Sequence, residues 1–372
     1  MSAVLSKVKP AALVLGPSRD AVSGVTTHVN ALLDSPLRAG YALEHFQVGS
    51  EGRRESALGR ALRYAFSPLL LAGAILRRNA AIVHLNTSLN AKAYWRDLAY
   101  LVVAKLCGAR VLLQKHGGTL EALCGGSRFF AGFVRASLRL ADAVVVLSRA
   151  ELNQYAGLLG EERVVHLPNG IDCEPFRRYN RAPADPSGPL RCIYIGRLAP
   201  AKGLEEILEA MPAAARATLT IVGSGPDEAR LRLRAKALGL EGRVRFAGPA
   251  FGEEKARLLS QADVLLLPSY SEGLPYALLE AMAAGVVPVV TRVGAIPDVV
   301  DAGTHGVFVP VRHAQAIADA LDSLDSDRAW LARMSAACRK RVATAYSIER
   351  FAAEMAGLYD ALLSPRTPRA VL

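Results

Sequence analysis

Short apolar runs alternate along this chain with amphipathic stretches of helical spacing. The runs at residues 11–15, 81–85, 110–114, 142–147, 164–167, 191–195, 219–222, 244–246 and 264–267 read as buried strands. Helical spacing fills 25–33, 92–106, 204–210 and 227–238, a helix from Pro275 closed by Gly285, and most of 313–359. A strand-helix rhythm of this kind predicts parallel sheets with crossover helices, whose ligands gather at the carboxyl ends of the strands.

Those carboxyl ends carry the candidate chemistry. The first strand leads into the loop GPSRDAVSG, which ends in Ser23-Gly24. The strand at 110–114 runs into His116-Gly117-Gly118, and the strand at 142–147 into Ser148, a residue suited to cap a helix. The strand at 164–167 meets Pro168-Asn169-Gly170-Ile171-Asp172, where Asn-Gly favours positive φ. Farther on come Gly196-Arg197-Leu198 with Lys202-Gly203, then Gly223-Ser224-Gly225-Pro226, then Glu272 in a loop and Glu280 on the helix after it. Glycine lets a backbone approach closely, and Arg with Lys supplies charge for a diphosphate. The amides of Gly273 and Leu274 precede a helix N-terminus, which favours anions and hydroxyls. Taken singly, each of these residues is also readable as a solvated or structural side chain.

The 372 residues exceed a comfortable single core, so two domains are expected. The composition, 51% hydrophobic and 21% charged, is globular, and no apolar run approaches the roughly 20 residues of a membrane span. The N-terminus lacks the apolar core and cleavage site of a secretory signal, so a cytoplasmic location is expected. Charge is uneven: residues 1–180 hold 22 Lys and Arg against 13 Asp and Glu, and 181–372 hold 23 against 21. The first half therefore favours an anionic partner, whether membrane, phospholipid-linked acceptor or nucleic acid. No helix-turn-helix, RNA-binding aromatic set or zinc spacing supports nucleic acid. Residues 52–78 combine six arginines with Leu, Tyr and Phe, a basic amphipathic surface that either rests on anionic lipid at the inner face of a membrane or is a solvated helix hairpin.

The Glu272 to Glu280 stretch, with Gly273 after the first Glu and Glu280-Ala281 opening an apolar run, resembles the Glu-x7-Glu signature of family 4 retaining glycosyltransferases of group 1. The resemblance runs from Gly24 to Tyr346 and rests on the order and spacing of several motifs. It implies the GT-B fold, an α/β architecture of two doubly wound, Rossmann-like domains facing a central cleft. It also implies roles. Glu272 contacts hydroxyls of the donor sugar and Glu280 the nucleotide ribose. Arg197 and Lys202, with Gly196, neutralise the departing diphosphate. Gly223, Gly225 and Pro226 lie beside the nucleotide, and the backbone near Gly248 holds the base. Gly24 approaches the donor phosphates, and His116 reaches the donor sugar. The stretch from Arg292 to Asp298 is similar to the family's Gly-Gly-x-Pro-Glu, with Ala295 and Asp298 replacing the second Gly and the Glu.

On this resemblance residues 1–180 form an acceptor-binding domain and 181–345 a nucleotide-sugar-binding domain, with 181–189 as linker. Residues 346–372 supply a helix crossing back to the first domain and a flexible tail. The implied activity is transfer of a sugar, with retention, from a nucleotide diphosphate sugar to a glycan or a polyprenyl- or lipid-linked acceptor in polysaccharide or glycolipid assembly. No cofactor or catalytic metal is implied beyond the donor substrate itself. A sugar-nucleotide epimerase, a phosphorylase and a non-catalytic sugar-nucleotide-binding partner share the same motifs and remain open at this point.

Overall fold

The structure, a computed structural model, describes residues 9–52, 55–179 and 187–364. The chain divides into two compact units, Met1–Gly170 with Ile348–Leu372, and Ile171–Ser347. In the first unit β1 (Ala11–Gly16), β2 (Ala42–Gln47), β3 (Ala80–Ser88), β4 (Arg110–Gly117), β5 (Ala143–Val146) and β6 (Val164–His166) form a parallel sheet in the order β2-β1-β3-β4-β5-β6. Between them run α1 (Gly24–Asp34), α2 (Ala57–Arg78), α3 (Ala91–Leu106), the short α4 (Leu120–Cys124), α5 (Arg128–Leu138) and α6 (Arg149–Leu159).

Side chains alternate across this sheet with the period of two that strands require. Ala12, Val14, Ile82, Leu112 and Val145 pack on α1, whereas Leu13, Leu15, Val83, Leu85, Val111, Leu113 and Val144 pack under α2, α3, α5 and α6. Both faces are covered, which is why the strands read as continuous apolar runs rather than alternating ones.

The second unit repeats the plan with β7 (Leu190–Ile195), β8 (Ala217–Val222), β9 (Val244–Gly248), β10 (Val264–Leu267), β11 (Val287–Val290) and the two-residue β12 (Val307–Phe308). Their order is β12-β11-β10-β7-β8-β9, again parallel. The helices are α7 (Glu174–Arg177), α8 (Leu204–Ala210), α9 (Glu228–Ala237), α10 (Gly252–Ser260), α11 (Tyr276–Ala283), α12 (Ile296–Val299), α13 (Ala314–Ser326) and α14 (Arg328–Ala345). Strand order reverses at β7, which lies between β8 and β10. The chain leaves β7 towards β8 and leaves β10 towards β11, and the loops after β7 and β10 lie side by side at the carboxyl edge, the switch point where such sheets bind ligands. At the opposite edge Arg191 forks onto buried Asp263, at 2.9 and 2.8 Å, and ties the start of β7 to the approach to β10.

The final helix, α15 (Ile348–Leu363), belongs to the first unit. Phe351, Met355 and Tyr359, spaced by one helical turn, are buried on the α1 side of the sheet. Each such burial stabilises by about 2 kcal/mol, enough to hold the helix there. The unit boundary falls at Gly170/Ile171 rather than 180/181. Ile171 bridges to Ser347 and donates to Tyr346 O at 2.9 Å, and α7 packs on α10 and α11, so residues 171–179 go with the second unit. Most of the expected linker, 181–186, and the expected tail, 365–372, lie outside the described residues. The Asn169-Gly170 turn has no positive φ. Buried Asn169 instead reaches His28.

Three histidines face the α1 side of the first sheet. His28 and His84 are fully buried; His84 Nδ1 lies 2.8 Å from Tyr359 Oη and its Nε2 3.0 Å from Gln114 Oε1. Burial lowers His28 to about 4, against hydrogen bonds from Asn169 and Gln114 that raise it, and lowers His84 to about 3, with His28 adding to the effect. Folded values below the ordinary 6.5 mean that the unfolded chain binds protons the native state refuses. Stability from these groups is complete above pH 6.5 and falls as pH drops towards 4, by about 2 kcal/mol per histidine at pH 5. Thermal melts should show a lower Tm at pH 5 than at pH 7.5, and His84→Gln should flatten that dependence; a wild-type Tm constant over this range would contradict the assignment.

Candidate functional site

The carboxyl edge of the second sheet is knitted by backbone contacts that side chains could not tolerate. After β7, Gly196 N–H donates to Val222 O and Leu198 N–H to Ser224 O, both at 3.0 Å. Asp227 N–H returns to Leu198 O at 3.1 Å, so the Gly196-Arg197-Leu198 and Gly223-Ser224-Gly225-Pro226 loops are laced together. Gly223 has φ of 142°, and a Cβ there would stand 1.8 Å from Gly196 O. On the other side of β7, Tyr270 N–H donates to Ala201 O, and Ala295 N–H to Gly273 O at 2.8 Å. Gly294, with φ of 55°, lies so close that a Cβ would stand 2.2 Å from Glu272 O. The loops after β7, β8, β10 and β11 thus form one backbone framework.

Side chains are set on that framework. Tyr194, buried at the end of β7, donates its hydroxyl to Arg197 O at 2.9 Å and holds the turn. Burial, with the negative charge of Glu272 behind it, pushes the Tyr194 hydroxyl far above its ordinary value, so it stays a donor. The Arg197 side chain is exposed and makes no ion pair among the described residues. Lys202 ends a 3-10 turn, Pro200–Lys202, and its Nζ lies 2.7 Å from Glu272 Oε1. The structure thus brings together Lys202 and Glu272, two residues assigned separate tasks from sequence. Glu280, on the second turn of α11, is buried and accepts from Lys255 Nζ on α10 at 2.5 Å. Each glutamate therefore has its own cation. Leu274 is buried in the turn before α11.

Lys255 was not anticipated: its partner is 25 residues away, and an exposed-looking Glu-Glu-Lys helix start carries no sign of it. The chain also contains one Asp-x-Asp, Asp325-Ser326-Asp327, of the type that ligates metals in other sites. Here Asp325 accepts from Arg216 and Arg328, and Asp327 Oδ1 caps α14 by accepting from Trp330 N–H at 2.7 Å. Both carboxylates serve the fold.

In the first unit His116 is the penultimate residue of β4. Its Nε2 lies 2.7 Å from Asn86 Oδ1, while Asn86 Nδ2 donates to Leu15 O at 3.0 Å. Because the Asn86 amide nitrogen is spent on Leu15, its oxygen faces His116, and Nε2 must carry the proton. Burial, then His28 and His84, hold His116 well below the ordinary histidine value, so it is neutral with Nδ1 as acceptor. Asn86, which fixes that tautomer, was not picked out from sequence. Gly24 opens α1 behind the cap Ser23, in ordinary helical backbone, and a Cβ there would meet nothing within 4 Å. The fold itself does not require that glycine. Ser148 caps α6 through Glu151 N–H. An apolar cavity of about 490 Å³ in this unit, walled by Leu120, Cys124, Val134, Leu138 and Leu158, contains none of the site residues expected from sequence.

Comparison with known proteins bears on both units. Residues 22–175 match the model of Glycosyltransferase Family 4, and 176–341 that of Glycosyl transferases group 1. A GDP-mannose-dependent alpha-(1-6)-phosphatidylinositol monomannoside mannosyltransferase of Mycobacterium tuberculosis is 31% identical over 276 residues, covering 68% of this chain and 70% of the relative. A glycogen synthase of the same organism is 29% identical over 228 residues, 60% of this chain and 55% of the relative. The chain thus spans about half the length of the first curated relatives it matches. Among solved structures, a sucrose-phosphate synthase from Thermosynechococcus elongatus superposes with a TM-score of 0.76 at 21% identity, over 95% of this chain and 99% of the other. HepE of Anabaena in complex with UDP-glucose gives 0.74 at 18%, over 94% and 99%.

Lys255→Met should leave the Glu280 carboxylate buried without its cation, and loss of one member of such a pair costs about 3 kcal/mol. Denaturant unfolding should register that loss, and the double variant Lys255→Met/Glu280→Leu should recover part of it; additive losses would deny the coupling.

Proposed function

The chain belongs to the family 4, group 1 glycosyltransferases and has their GT-B fold of two doubly wound α/β units, and from that premise we propose that it transfers a sugar, with retention, from a nucleotide diphosphate sugar to a glycan or lipid-linked acceptor. The observation that carries the proposal is the grouping at the β7 switch point: an exposed Arg197, a Lys202–Glu272 pair at 2.7 Å, and a glycine framework around them. A departing nucleoside diphosphate develops negative charge, and preorganised cations stabilise it most where water is scarce. Arg197 and Lys202 take that role here, so side chains rather than a divalent cation meet the diphosphate.

In the resting arrangement Glu272 neutralises Lys202. An arriving diphosphate competes for the Lys202 ammonium and frees the Glu272 carboxylate to accept hydroxyls of the donor sugar. Glu280, oriented by Lys255, accepts from the ribose. Gly196, Gly223, Gly225 and Pro226 give the nucleotide its close backbone approach, with the amides of Gly273 and Leu274 completing the anion-facing turn. Neutral His116 offers Nδ1 to a substrate hydroxyl, and Gly24 leaves room for phosphate beside α1. Relatives bind or use UDP-glucose and GDP-mannose, which brackets the donor class. The kinship with a protein of Escherichia coli named "Putative colanic acid biosynthesis glycosyltransferase WcaL", 34% identical over 54% of this chain and 52% of that one, supports a place in polysaccharide or glycolipid assembly.

The test is a screen of nucleotides and nucleotide sugars by thermal shift, because a ligand at 100 times its Kd stabilises by about 2.7 kcal/mol. UDP, GDP or one of their sugars should raise Tm; no shift with any of them would end the proposal. With the donor in hand, Arg197→Ala and Lys202→Ala should each lower turnover at least tenfold without lowering Tm. Glu272→Ala should mainly damage sugar transfer, and Glu280→Ala mainly nucleotide affinity. Equal loss of nucleotide binding in the two variants would remove the division of labour.

A further inference from the structure

Sixteen large hydrophobic side chains are exposed among the described residues, and eleven of them lie on α2, α3 and α5 of the first unit. These three helices cover the same face of the sheet: Leu71 and Ile75 of α2, Tyr100 and Leu101 of α3, and Val134 and Leu138 of α5 share one core with Leu13, Val83 and Val111. Their outward surfaces therefore belong to one layer.

On α2 the outward residues are Leu58, Leu62, Phe66, Leu69, Leu70 and Leu76. At about 100° per residue they fall within an arc of about 120°, across the helix from the buried arc of Ser67, Leu71, Ala74 and Ile75. The helix is thus apolar on both sides, although only one side has a protein partner among the described residues. On α3 Trp95, Val102 and Leu106 fall within about 40° of one another, again opposite the buried face. Trp95 stacks on Phe130 of α5, with ring centroids 5.9 Å apart, and lies 5.8 Å from Phe133; next to them Phe129 is 90% exposed. Exposed apolar area on this scale marks an interaction surface.

Charge selects the occupant. The three helices carry nine Lys and Arg against a single acid, Asp97. Arg63, Arg78, Arg96 and Lys105 are paired with Glu55, Glu44, Asp97 and Asp142, whereas Arg77, Lys92, Arg128 and Arg135 make no ion pair among the described residues. A second copy would bring two cationic faces together. An anionic lipid surface meets both requirements, taking up the apolar side chains and neutralising the cations. No helix among the described residues is long and apolar enough to cross a membrane. We propose that the outer surface of the α2, α3 and α5 layer lies in the interface of an anionic bilayer, with the leucine stripe of α2 and the Trp95 and Phe129 group entering the acyl boundary. This inference goes beyond the proposed transfer reaction and does not depend on it.

Sedimentation of the full chain with vesicles tests it. Vesicles of phosphatidylcholine with phosphatidylglycerol should bind the protein at least tenfold more tightly than phosphatidylcholine alone. Leu62→Glu/Phe66→Glu/Leu69→Glu should weaken that binding at least tenfold with Tm unchanged, since these side chains are exposed. Trp95 and Trp330 are the two tryptophans, so a blue shift of emission on adding anionic vesicles should disappear in Trp95→Phe. Three results would overturn the proposal: no binding to anionic vesicles, full binding by the triple variant, or a dimer by light scattering that the triple variant dissolves while wild type ignores lipid.

Discussion

The site in the second unit depends on backbone passing backbone at distances that exclude a Cβ. Four loops leave the sheet at β7, β8, β10 and β11, and their peptide groups bond one another directly, Leu198 to Ser224 and Ala295 to Gly273. A methyl group at 223 or 294 would sit 1.8 or 2.2 Å from a carbonyl oxygen, well inside van der Waals contact, and both residues also hold positive φ. No rotamer adjustment relieves a clash with peptide groups that are themselves hydrogen-bonded. Arg197, Lys202 and Glu272 project from the loops of this framework, whereas Glu280 and Lys255 stand on helices beside it.

Much of this was legible in the sequence because it is local. Buried parallel strands are apolar runs, and all nine runs read as strands are found, with ends shifted by at most three residues. The glycines after strands flagged the close approaches. The buried strand β11, VPVV, was not read, standing directly after the helix closed by Gly285; the other misses are elements that burial does not mark. Strand β2, ALEHFQ, is an edge strand whose residues are half-buried, so its mixed polarity hid it. Helix α2 contains Pro68, which removes a helical N–H, and it is apolar on two sides, so periodicity suggested a hairpin where one helix of 22 residues stands. Helices α4 and α5, between Leu120 and Leu138, gave no separate reading, and β12 is too short to have a pattern.

Partners distant in sequence were the least legible. Glu280 finds Lys255, His116 finds Asn86, and Lys202 finds Glu272 across 70 residues. Sequence named both members of the last pair yet gave them independent duties, because only topology shows that the loops after β7 and β10 adjoin. The unit boundary shows the same limitation. A change of composition suggested 180, but chain allegiance is decided by contacts, and Ile171 already bonds the end of α14 through Tyr346.

The Lys202–Glu272 pair constrains how a diphosphate could bind. Two unit charges about 4 Å apart at an effective dielectric of 20 attract by about 4 kcal/mol, most of it offset by desolvation in a partly exposed site. A phosphate that takes Lys202 from Glu272 exchanges one charge-assisted hydrogen bond for another, so that contact alone adds little net affinity. Arg197 has no such debt among the described residues, being exposed and outside any ion pair. Under the proposed function net attraction for the diphosphate would fall on Arg197, whereas Lys202 would couple the arrival of phosphate to the release of the Glu272 carboxylate. On this proposal the two cations are not equivalent: one would supply binding, and the other would make the Glu272 carboxylate available to the sugar only when a diphosphate is present.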